Sequence, residues 1–367
     1  MKPGNTRILN IYILKELSGS FFFGVMAFTL ILVAGDLLFD LADLIIEKGV
    51  SLFVVLRLFL YRLPAVVTLT LPMACLLSTL LSFGRLSSNS ELIALRASGV
   101  AFQRILKPVM VAALMIGAFA LLFNETIVPL ANKAAMNIMR YEVAREKPSL
   151  LQERVFLREE SEGTLSRVIY INRLEPREGR MEEVLIQEFE KGRLRRITTS
   201  REGEWVEGYW ILSDGEVFEV DNKGAVSLLF RFQEQKTRLD LTPREISRAS
   251  TDPEDMSIFE LYDHIALLEK QGMKTGPLWV IFHLRIAIPW ASIVLAIVGA
   301  SLGVRPQRSG PGVGFGLSII IVFAYYVVMS FCKSLGQSGF LLPVISAWIP
   351  NVVFLGFGSF LARRVNH

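Results

Sequence analysis

The sequence predicts an α-helical integral membrane protein with six transmembrane helices, three on each side of an inserted periplasmic all-β domain of sandwich, jelly-roll or open-barrel type. Three observations carry this: long uncharged runs in both flanks, a charged middle, and strand-like patterning within that middle. The chain has 367 residues, of which 52% are apolar, and a mean hydropathy of +0.44, above the range of ordinary soluble domains. Of its 74 Asp, Glu, Lys and Arg residues, 43 fall between Arg145 and Asp255. Two regions of opposite character therefore share one polypeptide, divided as 1–144, 145–255 and 256–367.

The uncharged runs are 17–35, 63–84, 108–124, 286–304, 309–332 and 334–362. Each is near or above the roughly 20 helical residues that cross a hydrocarbon core. Lipid offers no hydrogen-bond partners, and the runs lack the polar alternation of barrel strands, so they read as helices. The first run starts too late and is too long for a cleavable signal, and is expected to stay as an anchor. Cys75 and Cys332 both fall in spans and give the insert no disulfide framework. His264, His283 and His367 show no metal-ligand spacing. The net charge of +4 is spread by topology and forms no nucleic-acid patch.

Cytoplasmic loops are enriched in Lys and Arg. With the N-terminus inside, Lys2, Arg7, Lys15, Arg85, Arg96, Arg104, Lys107, Arg305, Arg308, Arg363 and Arg364 all lie inside, against Lys48, Arg57, Arg62 and Lys333 in the short outer loops. Both termini are then cytoplasmic, and the insert lies in the periplasm of a diderm bacterium.

Within the insert, runs such as Arg167-Val-Ile-Tyr-Ile-Asn172, Tyr209-Trp-Ile-Leu212 and Glu216-Val-Phe-Glu-Val220 are short and β-branched or aromatic. Glu178-Gly179, Lys191-Gly192, Asp214-Gly215 and Asn222-Lys-Gly224 read as turns. Seven to nine short strands are expected in about 100 residues.

Two capped helices stand out. After the second span, Ser88 followed by Glu91 reads as a capping box and Gly99 as a left-handed stop. A helix of about ten residues is too short to be stable in water unless it packs on something. Leu92, Ile93 and Leu95 give it an apolar side, Glu91 and Arg96 charged handles. It is either a surface helix on the membrane or a rigid peg for a cytoplasmic partner. A second box, Ser257 with Glu260, opens a helix stopped by Gly272. Its apolar Ile258, Leu261, Tyr262, Ile265 and Leu268 place it on the outer membrane surface or against the β-domain.

The stretch Gly84-Arg-Leu-Ser-Ser-Asn-Ser-Glu-Leu-Ile-Ala-Leu-Arg-Ala-Ser-Gly99 leads an ordered set of four. It is followed by Asn124-Glu-Thr-Ile-Val-Pro-Leu-Ala-Asn132, His283-Leu-Arg-Ile-Ala-Ile-Pro289 with Arg308-Ser-Gly310, and Ala347-Trp-Ile-Pro-Asn351. Together they resemble the lipopolysaccharide-export permease family, LptF/LptG, over nearly the whole chain. The resemblance implies six spans with a periplasmic β-jellyroll and pairing with a second LptF/LptG-type permease around a cavity. It further implies an LptB-like cytoplasmic ABC ATPase, and passage of lipopolysaccharide onto LptC/LptA-like β-jellyroll proteins of a periplasmic bridge. ATP and Mg would act on that ATPase, since this chain has no G-x-x-x-x-G-K-[ST] run of its own and is expected to be no enzyme and to hold no cofactor. By resemblance, Ser88, Glu91, Leu92, Leu95, Arg96 and Gly99 couple to the ATPase.

Some family members carry lysines near the outer end of the first span, where this chain has Asp36, Asp40, Asp43 and Glu47 at i, i+4, i+7 and i+11. These acids form one helical stripe. It either pairs with Arg57 and Arg62 or with the second permease, holds divalent cations that bridge to lipid phosphates, or is a bare helix end. Asp36, Asp40, Asp43, Arg57, Arg62, Phe315, Phe323 and Tyr326 are the substrate-cavity candidates. Gly310, Gly312, Gly314 and Gly316 allow close helix approach.

Other readings are weaker. Lys274-Thr-Gly276 and Ser330-Phe-Cys-Lys333 echo penicillin-binding motifs in reversed order and without Ser-Asp-Asn. A permease of another lipid or lipoprotein exporter, or a non-transporting periplasmic scaffold, remain as alternatives. The F-type or G-type identity stays open.

Overall fold

The computed structural model describes residues 3–143, 152–161, 164–175, 178–190, 193–206, 209–221, 224–237, 253, 256–270, 273–304 and 311–366. The chain forms two compact units, 1–144 with 276–367, and 145–275.

The first unit is helical. Its elements are α1 (Pro3–Leu32), a π turn (Val33–Leu37), α2 (Leu38–Ile46), α3 (Leu52–Ser88), α4 (Glu91–Ala97) and α5 (Phe102–Asn137) with a second π turn (Ile138–Val143). After the insert come α7 (Gly276–Gly303), α8 (Pro311–Gln337) and α9 (Pro343–Asn366). Among the described residues six helices are long and apolar enough to cross a membrane, as expected from the uncharged runs. Spans α8 and α9 divide differently from the sequence reading. Lys333 lies inside α8, and the turn is made at Gly339 (φ +81), whose amide bonds Gly336 O at 3.1 Å while Phe340 N bonds Leu335 O at 3.1 Å. This 5→2, 6→1 pair with left-handed glycine is a Schellman stop, and a lone lysine near a span end reaches the interface without breaking the helix.

Spans α3 and α7 are the most buried, α1 and α8 the least. The reason is steric. A Cβ on Gly299 would press on Thr79 Oγ1 and lie 2.5 Å from Leu76 O, and one on Gly303 would lie 2.7 Å from Leu80 O. The backbones of α3 and α7 thus touch, as small residues permit in lipid. Polar groups then fix the neighbours. Ser78 Oγ donates to Leu17 O (2.8 Å) and Ser82 Oγ to Glu16 O (3.0 Å), seaming α3 to α1. Tyr325 OH of α8 donates to Asn351 Oδ1 of α9 (2.9 Å), and Asn351 Nδ2 donates to Ala287 O of α7 (2.8 Å), all buried. In hydrocarbon each lost partner is costly.

The second unit holds β1 (Gln152–Ser161), β2 (Thr164–Glu175), β3 (Arg180–Glu190), β4 (Arg193–Val206), β5 (Tyr209–Val220) and β6 (Val226–Thr237), followed by helix α6 (Ile258–Lys270). The strands form one antiparallel sheet in sequential order β1-β2-β3-β4-β5-β6. An all-β insert is present as expected. Its described strands are six long ones joined as a meander, not seven to nine short ones. Two causes account for the count. Asp214-Gly215, read as a turn, lies inside β5, and β4 carries so many charges that its strand signal is diluted. Gly179 (φ +71) and Gly224 (φ +85) do make turns, whereas Lys191-Gly192 and the Gly272 stop lie outside the described residues.

A crease crosses this sheet. The pairing ladders skip Asn172 opposite Glu183, Glu183 opposite Arg201, and Arg201 opposite Asp214. At the same line the buried face changes parity: Ile169 and Ile171 give way to Leu174, Ile186 and Val184 to Met181, Val217 and Gly215 to Leu212 and Trp210. One residue per strand drops out of the ladder, aligned across four strands with the register kept on either side, so the inward face shifts by one residue on every strand at once. Glu183 (φ +51) and Asp214 (φ +50) take left-handed backbone there. The core collects Ile169, Ile171, Leu174, Met181, Val184, Ile186, Trp210 and Leu212 from both sides of the line.

The second capping box forms as expected: Ser257 N–H donates to Glu260 Oε2 (2.9 Å) and Glu260 N–H to Ser257 Oγ (3.2 Å). His264 of α6 is buried with no hydrogen-bond partner at Nδ1 among the described residues, and burial lowers its pKa.

Two outcomes follow. Gly299→Val should lower the thermal midpoint in detergent by a shift equivalent to about 1–3 kcal/mol, the usual range for overpacking, measured by heating with size-exclusion readout. Because the folded state binds the His264 proton less well than the unfolded chain, stability is present above the ordinary histidine pKa and falls as pH drops below about 6.5; His264→Gln should flatten that slope in thermal melts at stepped pH.

Candidate functional site

The helix in the loop between the second and third spans is built differently from the sequence expectation. Span α3 runs on through Ser88, whose Oγ donates back to Arg85 O (3.0 Å), so the Ser88–Glu91 capping box does not form. Asn89 closes α3, Ser90 turns the chain in left-handed backbone (φ +59), and α4 is seven residues long, not about ten. The serine is consumed because α3 has an apolar face up to Leu86 to bury, and packing outweighs a local cap.

Glu91 is bound within the chain. Tyr12 OH of α1 donates to its Oε2 at 2.5 Å and Asn89 Nδ2 to its Oε1 at 3.2 Å. Leu92 is 2% exposed and sits among Ile13, Leu17, Phe83, Leu86, Phe102, Ile105 and Ala300, residues of α1, α3, α5 and α7. Leu95 is half-buried against the same cluster. The far end is as expected: Gly99 (φ +83) donates to Arg96 O (2.9 Å) and Val100 N–H to Leu95 O (3.1 Å), a complete Schellman motif. Ile93, at 62% exposure, Ala94, Arg96 and Ala97 form the outward face. Beneath it, Arg85 pairs with Glu16 (2.9 Å) and donates to Ser20 Oγ (2.7 Å), and Ser87 Oγ donates to Val304 O (2.9 Å). These bonds tie the ends of α1, α3 and α7 together.

At the opposite ends of the helices, Arg57 is held by both Glu142 oxygens (3.0 and 3.2 Å), so its partner is not the acidic stripe. Asp40, Asp43, Glu47, Lys48 and Arg62 do come together, lining a cavity of about 300 Å3 with Leu37, Leu41, Leu44, Leu58 and Met139. The side chain of Asp36 lies outside the described residues, and the π turn Val33–Leu37 interrupts the regular spacing between it and α2. Among the described residues no three His, Cys, Asp or Glu side chains gather to hold a metal ion. The reading of the stripe as a cation bridge includes Asp36, whose side chain lies outside the described residues. Arg305 and Arg308 also lie outside the described residues.

The aromatic candidates face different surroundings. Phe315 stacks on Phe28 (6.2 Å, 30°) and meets Phe23 (6.3 Å), Phe323 is 69% exposed on the outer surface of the bundle, and Tyr326 donates to Leu69 O at 3.4 Å. Reading by sequence missed Tyr12, Glu16 and Glu142. A lone tyrosine or acid at a span end carries no spacing signal, because its partner is far along the chain. Asn351 was visible only as part of a motif, although an amide deep in an apolar run is itself a signal. As a check on this geometry, Leu92→Ala should destabilise the seat by about 2–5 kcal/mol, the usual loss for a buried leucine, read as faster limited proteolysis between 89 and 100.

A family model described as lipopolysaccharide export system permease LptF/LptG matches residues 11–364. The lipopolysaccharide export system permease protein LptG of Escherichia coli strain K12 is 25% identical over 308 residues, covering 83% of this chain and 84% of that protein. The LptG protein of Haemophilus influenzae is 22% identical over 291 residues, covering 77% and 78%. With six apolar helices, a β insert between the third and fourth, and a family match from residue 11 to residue 364, the chain belongs to the LptF/LptG family of lipopolysaccharide export system permeases.

Proposed function

We propose that the chain is a permease subunit of an ABC exporter that lifts lipopolysaccharide from the inner membrane and passes it by way of the periplasmic β-domain to a protein bridge, driven by a separate LptB-like ATPase with its own ATP and Mg. The observation that carries this reading is the construction of α4. A seven-residue helix is pinned by Leu92 into four spans, yet presents Ile93, Ala94, Arg96 and Ala97 outward. Such a helix can pass a displacement to the spans with little lost in loop motion. In this reading Leu92, Leu95 and Gly99 hold the peg, Arg96 and Ile93 contact the ATPase, and Glu91 positions α4 against α1 through Tyr12.

Further features are consistent with it. The least buried spans, α1 and α8, leave apolar faces for a second permease. Strand β6 exposes Val226, Leu228, Leu229 and Phe230, a surface suited to LptC/LptA-like β-jellyroll proteins. The cavity with Asp40, Asp43 and Arg62 lies on the periplasmic side in the orientation set by the positive-inside rule, where a lipid headgroup would enter.

Two variants separate the roles. Ile93→Asp with Arg96→Glu should abolish co-purification of the ATPase in mild detergent while the second permease stays bound. Tyr12→Phe should keep the ATPase but lower lipopolysaccharide released per ATP hydrolysed in proteoliposomes. Undiminished ATPase recovery in the first variant would contradict the peg; a different co-purified lipid would change the cargo; recovery of periplasmic proteins without any ATPase would favour a scaffold.

A further inference from the structure

We infer that the cleft between α1 and α5 holds one acyl chain of an anionic glycerophospholipid, whose phosphate meets Lys15 and Arg7. The inference rests on the spans and not on the exporter's cargo. The cleft has a volume of about 230 Å3. Leu17, Cys75, Val109 and Ala113 form its buried floor, while Leu14 and Phe22, 36% and 68% exposed, stand at its open rim. Its hydroxyls are already engaged. Ser18 Oγ donates to Lys15 O, Ser78 Oγ to Leu17 O and Thr79 Oγ1 to Cys75 O, each at 2.8 Å. With those three donors spent on backbone carbonyls, the wall suits hydrocarbon and not a polar ligand.

Depth identifies the occupant. The uncharged run of α1 begins at residue 17 and that of α5 at residue 108. The cleft follows α1 from Leu14 to Phe22 and α5 from Val109 to Ile116, so it starts at the hydrocarbon boundary. At 1.5 Å per residue it then runs inward for about 12 Å, close to the roughly 15 Å depth of one leaflet. Outside an open rim at this depth the medium is lipid, and an empty cleft would forfeit dispersion contacts along its lining. A helix, about 10 Å across, is too thick to enter it. At the boundary end stand two exposed cations, Lys15 and Arg7. Arg7, Leu14 and Ser18 share one face of α1 at i, i+7 and i+11, and the Lys15 side chain leans towards the N-terminal end, as helical side chains do. A phosphate ester just beyond the acyl chain comes level with the turns between them. The neighbouring acid, Glu16, is paired with Arg85 at 2.9 Å.

The test uses the full chain in phosphatidylcholine nanodiscs doped with phosphatidylglycerol that carries a diazirine midway along one acyl chain, with labelled peptides mapped by mass spectrometry. The expected result is labelling concentrated on 14–22 and 109–116 over the lipid-exposed face around Phe323. Ala112→Phe, which fills the cleft, should lose that labelling and keep the label near 323; Ser18→Phe fills it from the other wall should the first variant fail to fold. Arg7→Gln with Lys15→Gln should abolish the preference over phosphatidylcholine bearing the same diazirine. Label spread evenly over exposed span faces, or undiminished in the filled variants, would overturn the inference in favour of ordinary boundary lipid. So would a preference for phosphatidylglycerol that survives loss of both cations, or a cleft that takes no label. Displacement of the label by added lipopolysaccharide would overturn it by making the cleft a cargo site. No readout involves ATP turnover or export, so the exporter reading can fail while this one holds, and the reverse.

Discussion

Leu92 seats one short loop helix in a cluster drawn from four spans, and the packing of that end of the helical unit depends on the insertion. A helix of seven residues has no stability of its own in water. It exists because its buried leucine completes a cluster drawn from α1, α3, α5 and α7, because the Schellman end satisfies the last carbonyls, and because Tyr12 and Asn89 fix Glu91. Removing the leucine would leave a void at the one place where four helix ends converge.

Above this seat the unit is organised around a backbone contact. Glycines 299 and 303 leave room for the Leu76 and Leu80 carbonyls and the Thr79 side chain, so that α7 lies close on α3, and serine, tyrosine and asparagine bonds attach α1, α8 and α9 to that pair. In water such bonds would compete with solvent; in hydrocarbon the alternative is an orphaned donor, so few are needed. The β unit is organised on the opposite principle. Its core is apolar, and a line of polar residues outside the ladder, Asn172, Glu183, Arg201 and Asp214, shifts the inward face of four strands by one residue.

The spans were legible because lipid burial leaves a mark in composition that no other environment produces. The insert was legible as β but not in its strand count, since a left-handed residue within a strand, Asp214, and a turn use the same Asp-Gly signal and are told apart by the neighbouring strand, which sequence order does not reveal. The loop helix was found for a partly wrong reason. Gly99 ends it as expected, but Ser88 belongs to the span before it, and Glu91 answers to a tyrosine 79 residues away. Arg57 was one candidate partner for the stripe nearby in sequence, while the chain pairs it with Glu142. In each case the local pattern was read correctly and the distant partner decided the outcome.

The proposed coupling requires that α4 and the spans move as one body when the proposed ATPase turns over. Pulsed electron paramagnetic resonance on the assembled complex tests it directly, with one label pair at positions 11 and 97 and another between position 47 and the second permease, compared without nucleotide and in the vanadate-trapped state. The account predicts an unchanged, narrow distance for 11–97 and a changed distance across the outer ends. A 11–97 distance that shifts or broadens while the outer ends stay fixed would contradict it.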